Sequence, residues 1–157
     1  MQRASKLKWF VNLWPPFLGS GIQVKRIDPD FRVIDVEMKL HFWNRNYVGT
    51  HYGGSLYSLT DPFYMLMLIE NLGRDYIVWD KSASIRFRRP GRGTVAAHFE
   101  LTAEQIESIR QQLQAQEKVE RTFTVQVRDE AGEAIALVEK VVQIRRRQPP
   151  ARPFPNE

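Results

Sequence analysis

From Ser55 to Leu72 the chain is almost entirely apolar. Leu56, Leu59, Phe63, Leu66, Met67 and Glu70 fall on one helical face, while Tyr57, Tyr64, Met65, Leu68 and Ile69 cover the others. A helix that is apolar nearly all round must be enclosed by the rest of the fold. Asn71-Leu72-Gly73 supplies its glycine stop. Whatever else the chain builds has to be a surface able to wrap this segment.

The rest of the sequence reads as strands. Ile34, Val36, Met38, Leu40 and Phe42 alternate with Asp35, Glu37, Lys39 and His41, the period of a half-buried strand. Ile22-Gln23-Val24 is a shorter strand before it, joined through the turn Asp28-Pro29-Asp30. Beyond the apolar segment, Ala83, Ile85 and Phe87 alternate with polar residues, and Pro90-Gly91-Arg92-Gly93 turns the chain into Val95, Ala97, Phe99 and Leu101. Thr102 to Gln116 switches to helix, with a Thr102/Gln105 capping box and a stripe of Ile106, Ile109 and Leu113. Val119–Arg128 and Ala134–Ile144 form a hairpin across Asp129-Glu130-Ala131-Gly132. Lone histidines on the polar strand faces, His41 and His98, are expected to face solvent.

Ahead of all this, Trp9, Phe10, Leu13, Trp14 and Phe17 have the spacing of a short amphipathic helix ended by Pro15-Pro16. We expect it to pack on the fold, with Trp9, Trp14 and also Trp43 in the core. Arg3, Lys6 and Lys8 beside the aromatics leave a membrane-surface helix as the alternative. Asn12, the double proline and the lack of a small-residue cleavage site separate it from a signal peptide.

Short turns favour antiparallel pairing, and an antiparallel sheet of six strands must bury one face. The only element apolar enough to fill it is Ser55–Leu72. The expected class is therefore α+β: an antiparallel six-stranded sheet wrapped round a long central helix, with an N-terminal helix and a short inserted helix. The chain's 157 residues suit one core. We place a single domain at 1–147 and a Pro/Arg-rich tail at 148–157. Arg145, Arg146, Arg147 and Arg152, near Pro149, Pro150, Pro153 and Pro155, are expected to lack regular structure.

Cysteine is absent, which excludes disulfides, thiolate metal sites and a cysteine nucleophile. The histidines show no close ligand pairing, so no metal is expected. No apolar run reaches the length of a membrane span. A net charge of +5 suits a polyanionic ligand. The arginines lack interleaved aromatics and no usual recognition module is present, so no nucleic-acid partner is expected. Lack of cysteine and of a secretion signal makes a cytoplasmic protein the expectation.

The chemistry concentrates between Asn46 and Asp61. Gly53 and Gly54 stand where the apolar helix begins, and glycines there let a ligand approach the backbone closely. Free N–H groups at a helix start, with the positive end of the dipole behind them, can hold an oxyanion. Asp61 lies within the apolar segment, where a lone carboxylate needs a partner or a task. Thr60-Asp61-Pro62 is also a helix-start signal in its own right, with Asp61 as cap. At about 1.5 Å per residue, Asp61 sits roughly 10 Å along the helix from Gly54 and cannot serve a carbonyl held by its own helix's first amides. A second subunit across a two-fold axis could supply the carboxylate.

These residues in this register resemble the active-site stretch of hotdog-fold acyl-CoA thioesterases of the phenylacetyl-CoA thioesterase-like group. Asn46, Gly49, Gly53, Gly54, Leu59 and Asp61 match the pattern. Tyr52 stands where the pattern has histidine, and His51 precedes it. Within the group the chain is similar to a little-characterised branch, from about Phe42 through Gly93, including Asp80-Lys81-Ser82-Ala83-Ser84-Ile85 and Arg89-Pro90-Gly91.

The resemblance implies a hotdog fold and hydrolysis of an acyl-CoA at a site between two protomers of a dimer or a dimer of dimers, without a cofactor. Asp61 would be general base or nucleophile, the Gly53 and Gly54 amides would hold the oxyanion, and Asn46 would position water or carbonyl. His51 would orient the thioester or shape the loop. Tyr52, Tyr57 and Asp80 would contact substrate, and Arg88 and Arg89 the phosphates of coenzyme A. Tyr57, Phe63 and Tyr64 are expected to line the acyl pocket. The alternative is a non-catalytic acyl-CoA or fatty-acyl binding protein on the same fold.

Overall fold

A computed structural model describes residues 2–147. The 148–157 tail lies outside the described residues. In chain order the elements are α1 (Gln2–Asn12), α2 (Pro15–Ser20), β1 (Ile22–Ile27), β2 (Val33–Lys39), α3 (Gly53–Ser58), α4 (Phe63–Leu72), β3 (Tyr76–Phe87), β4 (Thr94–Glu100), α5 (Ala103–Ala115), β5 (Lys118–Asp129) and β6 (Ala134–Arg146). The strands form one antiparallel sheet in the order β1-β2-β4-β5-β6-β3. The link from β3 through Pro90 and Gly91 therefore carries the chain across the sheet instead of closing a hairpin.

Period-two burial follows the sequence in β2, β4 and β5. Ile34, Val36 and Met38, then Val95, Ala97 and Phe99, then Phe123, Val125 and Val127 all point inward. Against this face lie Leu56, Leu59, Phe63, Met67 and Leu68, each nearly or wholly buried. The sheet wraps the apolar segment as expected. α5 opens with the capping box: Thr102 Oγ1 accepts from Gln105 N–H, and the Gln105 side chain accepts from Thr102 N–H. Its Ile106, Ile109 and Leu113 are buried.

Four expectations need correction. The apolar segment is two helices, not one. Pro62 has no N–H to continue α3, and the chain crosses residues 59–62 before α4 begins. β2 ends at Lys39, so Phe42 leaves the strand and is exposed. Trp9, Trp14 and Trp43 are exposed, because Ala4, Val11 and Phe17 fill the inward face of the N-terminal helices instead. Arg145 and Arg146 belong to β6, pairing with Ile77 and Tyr76.

The two edges of the sheet differ. On β1, Asn12 covers the free edge: its Oδ1 accepts from Val24 N–H at 2.7 Å and its Nδ2 donates to the Val24 carbonyl at 3.1 Å. β3 has no strand on its outer side among the described residues. From Trp79 onward most of its side chains are exposed on both faces. A long bare edge is a template for pairing with another chain.

Candidate active site

The loop before α3 is built by Asn46. Its Oδ1 accepts from Val48 N–H and Thr50 N–H, and its Nδ2 donates to Thr50 Oγ1 and the His51 carbonyl. The amide of Asn46 is thus spent inside the loop. Gly49, at φ +78°, makes the bend that this closure requires. His51 follows, buried against Gly91, with its own N–H donating to the Gly91 carbonyl at 3.0 Å.

His51 Nε2 is 3.0 Å from the Gly93 carbonyl. A carbonyl only accepts, so Nε2 carries the hydrogen and Nδ1 is left bare. Nδ1 is buried and has no partner. Burial holds the His51 pKa below its ordinary value, opposed by the Gly93 hydrogen bond.

Beside this loop lies a cleft of about 480 Å³ lined by Asn46, Val48, His51, Gly53, Leu56 and Phe87, with Arg88, Arg89 and Arg92 at its rim. Gly53 lines the cleft, and a Cβ there would come within 2.9 Å of Phe87 Cζ. The ring of Tyr52, largely exposed, lies against Gly54, where a Cβ would meet it at 2.5 Å. Only the short helix α3 stands behind these glycines, so the dipole of a long helix is not available to them. Arg89 is paired with Glu133 at 2.7 Å.

Asp61 does not line that cleft. It stands in the break between α3 and α4, with its side chain 46% exposed. It does not cap α4, whose N-cap is Pro62 with no side-chain cap bond. Lys140 of β6, 0% exposed, reaches it instead. Lys140 Nζ donates to the Asp61 main-chain carbonyl, to Asp61 Oδ1 at 3.1 Å and to Asp80 Oδ2 at 2.7 Å. A bulge at Lys81 re-aims β3 beside Asp80. Asp80 Oδ1 is buried without a partner.

Tyr57, one turn before Asp61, stands 5.8 Å beneath the Lys140 ammonium. Burial first, then a hydrogen bond to Asp61, push its hydroxyl up to about 12. Tyr57 therefore keeps its proton and donates.

Sequence reasoning passed over Lys140. The signal was parity: counting by twos along β6 puts Lys140 in one row with Val138, Val142 and Ile144, and all of these are buried. A lysine in a core row has to find carboxylates. Phe63 packs on Phe99 and Tyr64 stacks on Phe123, so both are core side chains, whereas Leu56, Val48 and Phe87 border the cleft. His98 is exposed and pairs with Asp35 at 2.6 Å, while half-buried His41 stacks on Trp43. Among the described residues no group of three His, Asp or Glu side chains is placed to hold a metal, and no helix is long and apolar enough to cross a membrane.

A six-stranded antiparallel sheet wrapped on an interrupted central helix defines the hotdog fold. Residues 3–144 match the family model described as a domain of unknown function, DUF4442, and the chain belongs to that family. No curated protein matches it. A Pseudomonas aeruginosa protein of unknown function, titled a probable thioesterase, superposes with a TM-score of 0.79 at 24% identity, over 91% of this chain and 96% of its own. A Haemophilus influenzae thioesterase gives 0.66 at 14% identity, over 91% and 90%. The PaaI protein of the Escherichia coli phenylacetic acid degradation operon gives 0.63 at 16% identity, over 94% and 93%. At these identities the likeness establishes the fold.

Proposed function

We propose that the protein is an acyl-CoA thioesterase whose site forms between two copies of the chain. The observation that carries this reading is a separation. The glycine cleft and the Asp61–Lys140–Asp80 group are different places on one chain, and both lie by the bare strand β3. Asp80 stands near one end of the exposed run of β3, and Phe87 and Arg88 stand at the other. Antiparallel pairing of two β3 strands about an axis near Ser84 exchanges these ends. The carboxylate group of one copy then approaches the cleft of the other.

In such a site the thioester carbonyl sits at the Gly53 and Gly54 amides, which stabilise its developing charge. Asp61 of the partner subunit takes a proton from water. The water oxygen bonds to the acyl carbon, the carbon–sulfur bond breaks, and the proton passes to the departing thiolate. Lys140 holds Asp61 as an anchored carboxylate, and the Tyr57 hydroxyl donates to the same group. Asn46 shapes the loop that carries His51. Arg88 and Arg92 meet the phosphates of coenzyme A, with Arg89 free to join once it leaves Glu133. Leu56, Val48 and Phe87 meet the start of the acyl chain.

Tyr52 supports a second reading, that of an acyl-CoA binding protein without turnover, because an aromatic ring lies against Gly54 where the family pattern has histidine. Thiol release and equilibrium binding, measured on the same panel of short, long and aromatic acyl-CoAs, separate the two. Turnover establishes the first reading. Saturable binding with no thiol released establishes the second.

A further inference from the structure

We propose that the outer face of α1 and α2 docks on an anionic lipid surface. Within ten residues of sequence, Trp9 is 69% exposed, Phe10 66%, Leu13 49%, Trp14 44% and Leu18 53%. A helix face turned to water ordinarily carries polar residues, and so large an apolar group marks a contact surface.

The helices are not loosely placed. Ala4, Val11 and Phe17 are buried, and Asn12 is bonded in both directions to Val24. The apolar outer face is thus additional to a packed inner one.

Charge selects the occupant. Arg3, Lys6, Lys8, Lys25 and Arg26 all precede the first acidic residue of the chain, Asp28. Arg3 is answered by Glu70 at 2.9 Å, and Lys8 Nζ donates to the Lys25 carbonyl at 2.6 Å. In the fold Lys25 is answered by Glu37 at 3.3 Å and Arg26 by Asp28 at 2.6 Å, so the charge left to the helix face is that of Lys6 and Lys8. Lys6 shares the outward turn with Phe10 and Leu13. Self-pairing of this face about an axis near Lys6 would bring the two copies' Lys6 side chains together, while Glu70 and Glu37 are already engaged by Arg3 and Lys25. Anionic headgroups supply the missing charge, and tryptophan favours the boundary between headgroup and acyl chain. Trp9, Phe10, Leu13 and Trp14 also do not border the cleft between Leu18 and Trp43, where a partner's side chain could insert. The helices lie on the surface; they do not cross it.

The experiment is co-sedimentation of the whole chain with vesicles, read without any turnover assay. The wild type pellets with vesicles of equal parts phosphatidylglycerol and phosphatidylcholine, and stays in solution with phosphatidylcholine alone. Lys6→Gln weakens the binding about fivefold. Trp9→Ser with Phe10→Ser weakens it about a hundredfold, with an unchanged melting curve because both side chains are already exposed. Absence of binding to phosphatidylglycerol vesicles overturns the proposal. So does a smaller sedimenting mass for the paired serine variant in lipid-free buffer, which would assign this face to a second copy of the chain.

Discussion

Lys140 Nζ lies 3.1 Å from Asp61 Oδ1 and 2.7 Å from Asp80 Oδ2, so one buried ammonium holds a loop carboxylate and a strand carboxylate together. The same ammonium binds the main-chain carbonyl of Asp61. The helix break is therefore tied to β6 and β3 through a single side chain.

Removing that ammonium should cost both stability and rate. Lys140→Met leaves Asp80 half-enclosed with no cation, and we expect a loss of about 2 kcal/mol, less than for a fully buried pair because Asp61 reaches water. Adding Asp80→Asn to Lys140→Met should recover about 1 kcal/mol, since the uncompensated charge is gone. Urea melts of the two single variants and the double variant check this. In assays of Lys140→Met, kcat should fall while KM holds, because the cleft proposed to bind substrate is elsewhere. A matching rise in KM would place Lys140 in binding instead.

Acid should destabilise the protein through His51. Burial holds its folded pKa below the ordinary histidine value of about 6.5, whereas the unfolded chain takes the proton near that value. Above it both states are neutral, and His51 adds no pH dependence. As pH falls from there toward the folded value, the unfolded state binds the extra proton and stability is lost. Melting temperature should decline from about pH 6.5 downward, before the carboxylates titrate. His51→Gln, which can still donate to the Gly93 carbonyl, should flatten that part of the curve. An equal decline in the variant would assign the effect to other groups.

The bare strand should be the dimer contact. Arg88 N–H donates to Ile135 of the β5–β6 hairpin, so by alternation Arg86 and Ser84 face β6 while Ile85 and Ala83 face outward. Ala83→Pro removes an outward N–H and spares the inner ladder. Sedimentation should then report a monomer where the wild type gives a dimer. An unchanged dimer would move the contact off β3.

A site made from two chains also predicts complementation. Gly53→Val sets a side chain against Phe87 and blocks the cleft, and Asp61→Asn removes the carboxylate; each alone should be inactive. Refolded together, they form mixed dimers in which one of the two sites is intact. At equal mixing about a quarter of wild-type activity should return. No return would mean that each chain carries its own whole site.

The sequence made most of the fold legible because alternation is local: β2, β4 and β5 bury the residues that period two selects. Strand order was not legible, since nothing near Pro90 signals that β3 joins β4 across the sheet. The helix start at the glycine pair was legible, while the break at Asp61 was signalled only by Pro62. Lys140 was masked by its own polarity in an otherwise apolar row. Trp9 and Trp14 misled because their helical spacing describes a face without saying which way it points, and Ala4, Val11 and Phe17 took the inward positions. On β3, the alternation of Ala83, Ile85 and Phe87 suggested a half-buried strand, but Ala83 and Phe87 are exposed in a single chain.

The most direct measurement is thiol release from an acyl-CoA panel by the wild type and by Asp61→Asn, with binding of the same acyl-CoAs followed in parallel. Our account predicts turnover by the wild type, a fall in kcat of at least about a thousandfold in the variant, and nearly unchanged binding. Turnover by Asp61→Asn at the wild-type rate would contradict it.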